Sequence, residues 1–80
     1  MHLRSHLGDV VGETRRKLRL SQEELAFEAG LHRTSVSHIE RGLKSPTVDT
    51  LGKIASALAT TPSQLLAEAE RRTQDKAKKR

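Results

Sequence analysis

Residues 21–42 read SQEELAFEAGLHRTSVSHIERG, two short helical patterns joined at a single glycine. No other stretch narrows the possible folds as much. Ser21 and Glu24 form a capping box that opens the first helix. Glu23 and Glu24 stand where the helix macrodipole favours negative charge. Leu25, Ala26 and Ala29 give this helix one apolar face. Gly30 ends it, because glycine enters the left-handed region without steric cost. The second pattern runs from about Arg33 to Arg41, with Val36, Ile39 and Glu40 inward, and Gly42 ends it in the same way. So little apolar surface leaves His32, Arg33, Thr34, Ser37 and His38 on an outward face that calls for a polar neighbour.

Three more helices surround this pair. One spans about Ser5 to Leu18, with Leu7, Val11, Thr14, Arg15 and Leu18 on one face by helical spacing. Arg15 is out of place in that stripe. Residues 42–47, GLKSPT, form a loop in which Pro46 disfavours helix at Ser45. Thr47 caps a helix over roughly 48–59, with Leu51, Ile54, Ala55 and Leu58 as its stripe. Thr61-Pro62-Ser63-Gln64 opens the last helix with a Thr cap and Pro at the first helical position. Leu65, Leu66 and Ala69 are its apolar residues. No alternating strand pattern competes, so the expected class is all-α.

Size and composition exclude several alternatives. A chain of 80 residues suits one domain, and without cysteine no disulfide can staple it. A core this small calls for compact helices, oligomerisation or both. Phe27 is the only aromatic ring of Phe, Tyr or Trp type, which argues against a stacking platform for single strands. No apolar run reaches the length of a membrane span, and the N-terminus lacks the apolar stretch of a leader. The net charge of +5 is unevenly placed. Residues 71–80 hold six Lys or Arg and one Asp, whereas residues 1–70 hold nine basic and nine acidic residues. The expected organisation is a domain over 1–70 and a basic, disordered tail over 71–80. The tail is either a solvated solubility segment or a non-specific phosphate-binding extension.

Two short helices joined by a glycine-containing turn are the helix-turn-helix unit. Counted from Gln22, small Ala26 is fifth, Gly30 ninth, Val36 fifteenth and Ile39 eighteenth, an order that suits a tight helix crossing with apolar plugs. SQEELAxxAG followed by SHIERG resembles the Cro/cI-type (XRE) helix-turn-helix family of phage repressors and bacterial regulators, over roughly residues 8–67. The resemblance implies a compact five-helix, lambda-repressor-like domain that binds double-stranded DNA, usually as a homodimer. In that geometry the third helix lies in the major groove and its N-terminal residues reach base edges. His32, Arg33, Thr34, Ser37 and His38 match the base-facing positions. Arg33 is foremost among them, because its planar fork can donate twice to guanine. The Gln22 amide matches a family position that contacts the DNA backbone, and the N–H groups of the helix start beside it suit an anion. Arg41 and Lys44 are further phosphate candidates, with Ser35 and Ser45 adding hydroxyls. Lys53 reads as solvated.

Arg15 and Glu40 carry opposite charges on two inward faces, which suggests a buried ion pair; family members often pair Arg and Glu at the matching positions. The alternative is two exposed charges near helix ends. Leu65 and Leu66 are the expected dimer interface, unless the monomer core uses them both. The departures from the family pattern are His32 at a cap position where Ser or Thr is common, Ala59-Thr60 in place of Gly-Val, and Phe27 on a face that is often polar. Ala59-Thr60 suggests a tighter or longer turn, and Phe27 covers either a loop or a partner surface.

The leading expectation is a transcriptional regulator that binds a palindromic operator, with RNA polymerase as a further partner if the cluster Glu23, Glu24, Glu28 is more than a solvated face. The length suits a stand-alone phage repressor or a restriction–modification controller protein. The alternative is an antitoxin or other protein-interaction module on the same fold. No catalytic arrangement can be read, so no enzyme activity and no cofactor are expected. His2 and His6 stand at metal-binding spacing but lack a third ligand, so a solvated pair is expected there and no metal. A cytoplasmic location at the nucleoid, with no membrane partner, follows from these readings.

Overall fold

The computed structural model describes the backbone of residues 2–78 and the side chains of residues 2–75. Five helices follow one another, with no strand among the described residues: α1 (Leu3–Lys17), α2 (Gln22–Ala29), α3 (Arg33–Glu40), α4 (Val48–Ala57) and α5 (Pro62–Lys78). α1 packs along α5 and also against α3, α2 packs on α3 and α4, and α4 closes against α5. The apolar stripes converge on one core, with Val11, Leu25, Val36 and Ile54 sealed from solvent at its centre. Leu7, Ile39, Leu51, Leu58 and Leu65 complete it. Val10 is also buried, whereas Leu18 is exposed at the C-terminal end of α1. No described helix is long and apolar enough to cross a membrane.

The helix starts follow local chemistry. Ser21 Oγ accepts from the Glu24 N–H at 2.9 Å and the Ser21 N–H donates to Glu24 at 2.8 Å, the reciprocal box expected from sequence. Thr47 caps α4 by accepting from the Thr50 N–H. α1 through α4 all close with the same turn, in which a left-handed residue brings the following N–H back onto the last helical turn. The left-handed residues are Arg19 (φ 61°), Gly30 (φ 69°), Gly42 (φ 73°) and Ala59 (φ 59°). Two of the four are therefore not glycine. The turn after α4 is neither tighter nor longer than the others, because Ala59 adopts the conformation glycine would take and the Thr60 N–H reaches Ala55 O at 2.9 Å.

Two expectations at the chain ends need correction. His6 is not part of a solvated pair: it is 4% exposed, and its Nε2 has no hydrogen-bond partner. The second concerns the tail. α5 does not stop at residue 70 but continues to Lys78, so at least residues 71–78 are helical rather than a separate tail. Residues 79–80 and the side chains of 76–78 lie outside the described part. The extension has a physical cause. Arg71 pairs with Glu68 and Asp75 on its own helix, and Arg72 reaches both Glu68 and, across to α1, Glu13 at 2.7 Å. Hydrogen bonds from Arg71 and Arg72 hold the Glu68 carboxyl at about 2, and the Arg72 hydrogen bond also lowers Glu13.

α1 and α3 approach more closely than side chains would permit. A Cβ on Gly8 would lie 2.7 Å from Glu40 O and nearer still to Ile39 O. One turn on, a Cβ on Gly12 would meet the Glu40 carboxylate at 3.2 Å. Glycines four residues apart make a flat track on α1 that receives the end of α3. On the same side, Arg4 Nε donates to Gly42 O at 2.9 Å.

Candidate nucleic-acid interface

α3 presents two unlike faces. Val36 and Ile39 are pressed into the core. On the opposite side, His32, Arg33 and Thr34 are exposed and Ser37 and His38 are half-buried. The five base-reading candidates are thus brought together at the front and along the outer face of one short helix. His32 stands at the N-cap without a side-chain capping bond. An imidazole is a weak cap, so the ring and the first N–H groups of α3 stay open to a ligand.

The end of α3 is fixed by charge. Arg15 Nε donates to Glu40 Oε2 at 2.7 Å and Nη2 donates to Oε1 at 3.0 Å, a bidentate pair with side chains only 11% and 7% exposed. Arg15 Nη1 also donates to Leu20 O at 2.8 Å. Gln22 Nε2 adds a third bond to Glu40, donating to Oε1 at 3.0 Å. Nothing in the spacing signals this contact or the Gly8–Gly12 track: a helix-start glutamine and two interior glycines carry no periodic signature.

The flanking cations are placed for an anion. Arg41, Lys44 and Ser45 are exposed on the segment after α3. Ser35 is half-buried over a hollow of about 150 Å³ that Lys44, Ser45 and Thr47 also line. From Leu31 to Val48 the only acidic residue is Glu40, and Arg15 consumes it. This stretch of the chain therefore carries uncompensated positive charge, which suits a phosphate backbone. The acids Glu23, Glu24 and Glu28 lie on the outer surface of α2 beside Phe27, which is 83% exposed and covers no loop.

The two dimer candidates separate. Leu65 is 3% exposed and belongs to the core of its own chain, so it has no surface to offer a partner. Leu66 is 37% exposed, and with Leu3, Pro46 and Val48 it lines an apolar hollow where the N-terminal ends of α1 and α4 meet α5. No group of three potential metal-binding side chains occurs among the described residues.

Comparison with known proteins bears on this arrangement. The family model described as Helix-turn-helix matches residues 11–65. The control protein C.BamHI of Bacillus amyloliquefaciens is 50% identical over 50 residues, 62% of each chain, so the match spans less than two thirds of that relative. Among solved structures, the restriction-modification controller protein C.AhdI of Aeromonas hydrophila superposes with a TM-score of 0.76 at 37% identity, over 78% of this chain and 94% of that one. The clp gene regulator ClgR of Corynebacterium glutamicum superposes with a TM-score of 0.91 at 25% identity, over 99% and 84% of the two chains.

Proposed function

The chain belongs to the helix-turn-helix family, and from that premise we propose that it is a sequence-specific, double-stranded-DNA-binding transcriptional regulator of the controller type. It binds a palindromic operator as a homodimer and acts in the cytoplasm. One observation carries the reading: α3 holds its polar side free, within a stretch from Leu31 to Val48 whose one acid, Glu40, is paired with Arg15, while its underside is plugged into the core.

In this function α3 enters the major groove. Arg33 donates in bidentate fashion to guanine O6 and N7. His32, Thr34, Ser37 and His38 meet neighbouring base edges. Ser35, Arg41, Lys44 and Ser45 hold phosphates on either side, and the N-terminus of α2 at Gln22 holds another. The capping box uses the N–H groups of Ser21 and Glu24 and leaves those of Gln22 and Glu23 free for that phosphate. One subunit reads few base pairs, so a twofold dimer through the Leu66 face doubles the readout, with half-sites about 34–36 Å apart or a multiple of that.

Selection of bound duplexes from a random pool tests the proposal. A palindromic consensus supports it, as does a steep loss of affinity with salt for about eight to ten phosphate contacts per dimer. Weak, sequence-blind binding would instead assign the fold to a protein-interaction role.

A further inference from the structure

Three helices meet on one carboxylate. Gln22 is the first residue of α2, Glu40 the last of α3, and Arg15 comes from the C-terminal part of α1. Glu40 accepts three N–H groups, two from Arg15 and one from Gln22, at 2.7, 3.0 and 3.0 Å. Arg15 grips it from one side with a planar fork. A fork alone leaves the acceptor free to swing about the axis of the pair. A donor arriving from a different helix removes that freedom, and a hydrogen bond to a charged acceptor is stronger than one between neutral groups.

The main chain and side chain of Gln22 therefore have separate partners. Its N–H belongs to the open end of α2, whereas its amide nitrogen is turned toward a pair that is almost wholly buried. We propose that the Gln22 side chain is a positioning residue for DNA reading: acting through Glu40, it sets the tilt of α3, while the backbone at the start of α2 takes the phosphate. This rests on α3 being the element that enters the groove.

The lever arm makes the tilt matter. α3 has eight residues and is about 12 Å long at 1.5 Å per residue. A swing of about 5° at the Glu40 end displaces Arg33 by roughly 1 Å, enough to carry a 2.9 Å base contact beyond hydrogen-bonding distance. Phosphate contacts from the flexible Arg41 and Lys44 side chains absorb the same displacement.

The test is Gln22→Met, which keeps the length and removes the donor. Binding is measured to a duplex selected from a random pool and to a scrambled duplex of the same length. Affinity for the selected duplex falls about tenfold, as for a lost specific contact, while scrambled-duplex affinity and the salt slope change less than about twofold. Equal weakening on both duplexes marks Gln22 as a plain phosphate ligand and overturns the proposal. Residual dipolar couplings of the free protein give an independent reading. They show α3 rotated relative to α1 in the variant, and an unrotated α3 overturns the proposal. Should the parent protein fail to prefer its selected duplex, the regulator assignment falls, while the couplings still decide what Gln22 does to α3.

Discussion

Replacing Glu40 with glutamine changes one oxygen to nitrogen and keeps the shape. The parent carboxylate accepts from Arg15 Nε, Arg15 Nη2 and Gln22 Nε2. An amide has a single acceptor oxygen and two N–H donors. Whichever way it is turned, a donor then faces a donor. The Arg15 cation, with its side chain 11% exposed, keeps Leu20 O and one bond to the amide oxygen, but loses its second bond and its counter-charge. Breaking a buried pair in this way costs about 3–5 kcal/mol. In a domain of this length each kcal/mol moves the melting midpoint by roughly 4–8 °C, so the midpoint falls by on the order of 12–40 °C. Urea denaturation followed by circular dichroism measures the free energy directly. The companion variant Arg15→Met/Glu40→Leu fills the same space with apolar atoms and lies closer to the parent than Glu40→Gln does. A Glu40→Gln protein within about 1 kcal/mol of the parent would refute the reasoning, because the carboxylate would then not be what the three donors depend on.

Gly8→Ala destabilises by about 1–3 kcal/mol or more, because its Cβ would strike the Ile39 and Glu40 carbonyls. Gly52→Ala meets nothing within 4 Å and stabilises by about 0.5–1 kcal/mol in the same denaturation assay. Ala59→Gly relieves a left-handed alanine and gains about 0.5–1 kcal/mol in the same assay; a loss would show that the φ of 59° costs nothing. The folded Glu68 carboxyl titrates near 2, below its ordinary 4.5. The stabilisation it supplies is thus complete above pH 4.5 and disappears as the pH falls through about 2. A carboxyl-carbon NMR titration checks this, with Arg72→Gln raising both the Glu68 and Glu13 midpoints. Arg33→Ala weakens binding to a selected duplex by about 1–3 kcal/mol and relaxes preference at one base pair per half-site; uniform weakening over all duplexes in a competition assay would place Arg33 on a phosphate.

Features written in local chemistry are legible in the chain. The Ser21–Glu24 box and the stops at Gly30 and Gly42 each depend on residues a turn apart, and the same spacing reappears in the structure. Arg15 and Glu40 could be singled out because each is a charge on an apolar stripe. The less legible features depend on what packs across from a residue. Leu65 and Leu66 are neighbours of one type, and only the placement of α5 decides that the first is core and the second surface. His6 looks like half of a polar pair until its neighbours cover it. The run of basic residues after 70 suggests a loose tail when charges are merely summed, whereas Glu13, Glu68 and Asp75 meet Arg71 and Arg72 individually. Gly8 carries no sign of its task, since an absent side chain announces itself only through the backbone it admits.

The split character of α3 has a consequence for how such proteins diversify. Mounting depends on Val36, Ile39, Glu40 and the glycine track beneath them, none of which is among the candidate base readers. In the proposed reading, the residues at 32, 33, 34, 37 and 38 can therefore be exchanged like type in a printing block, yielding new vocabularies on an unaltered press.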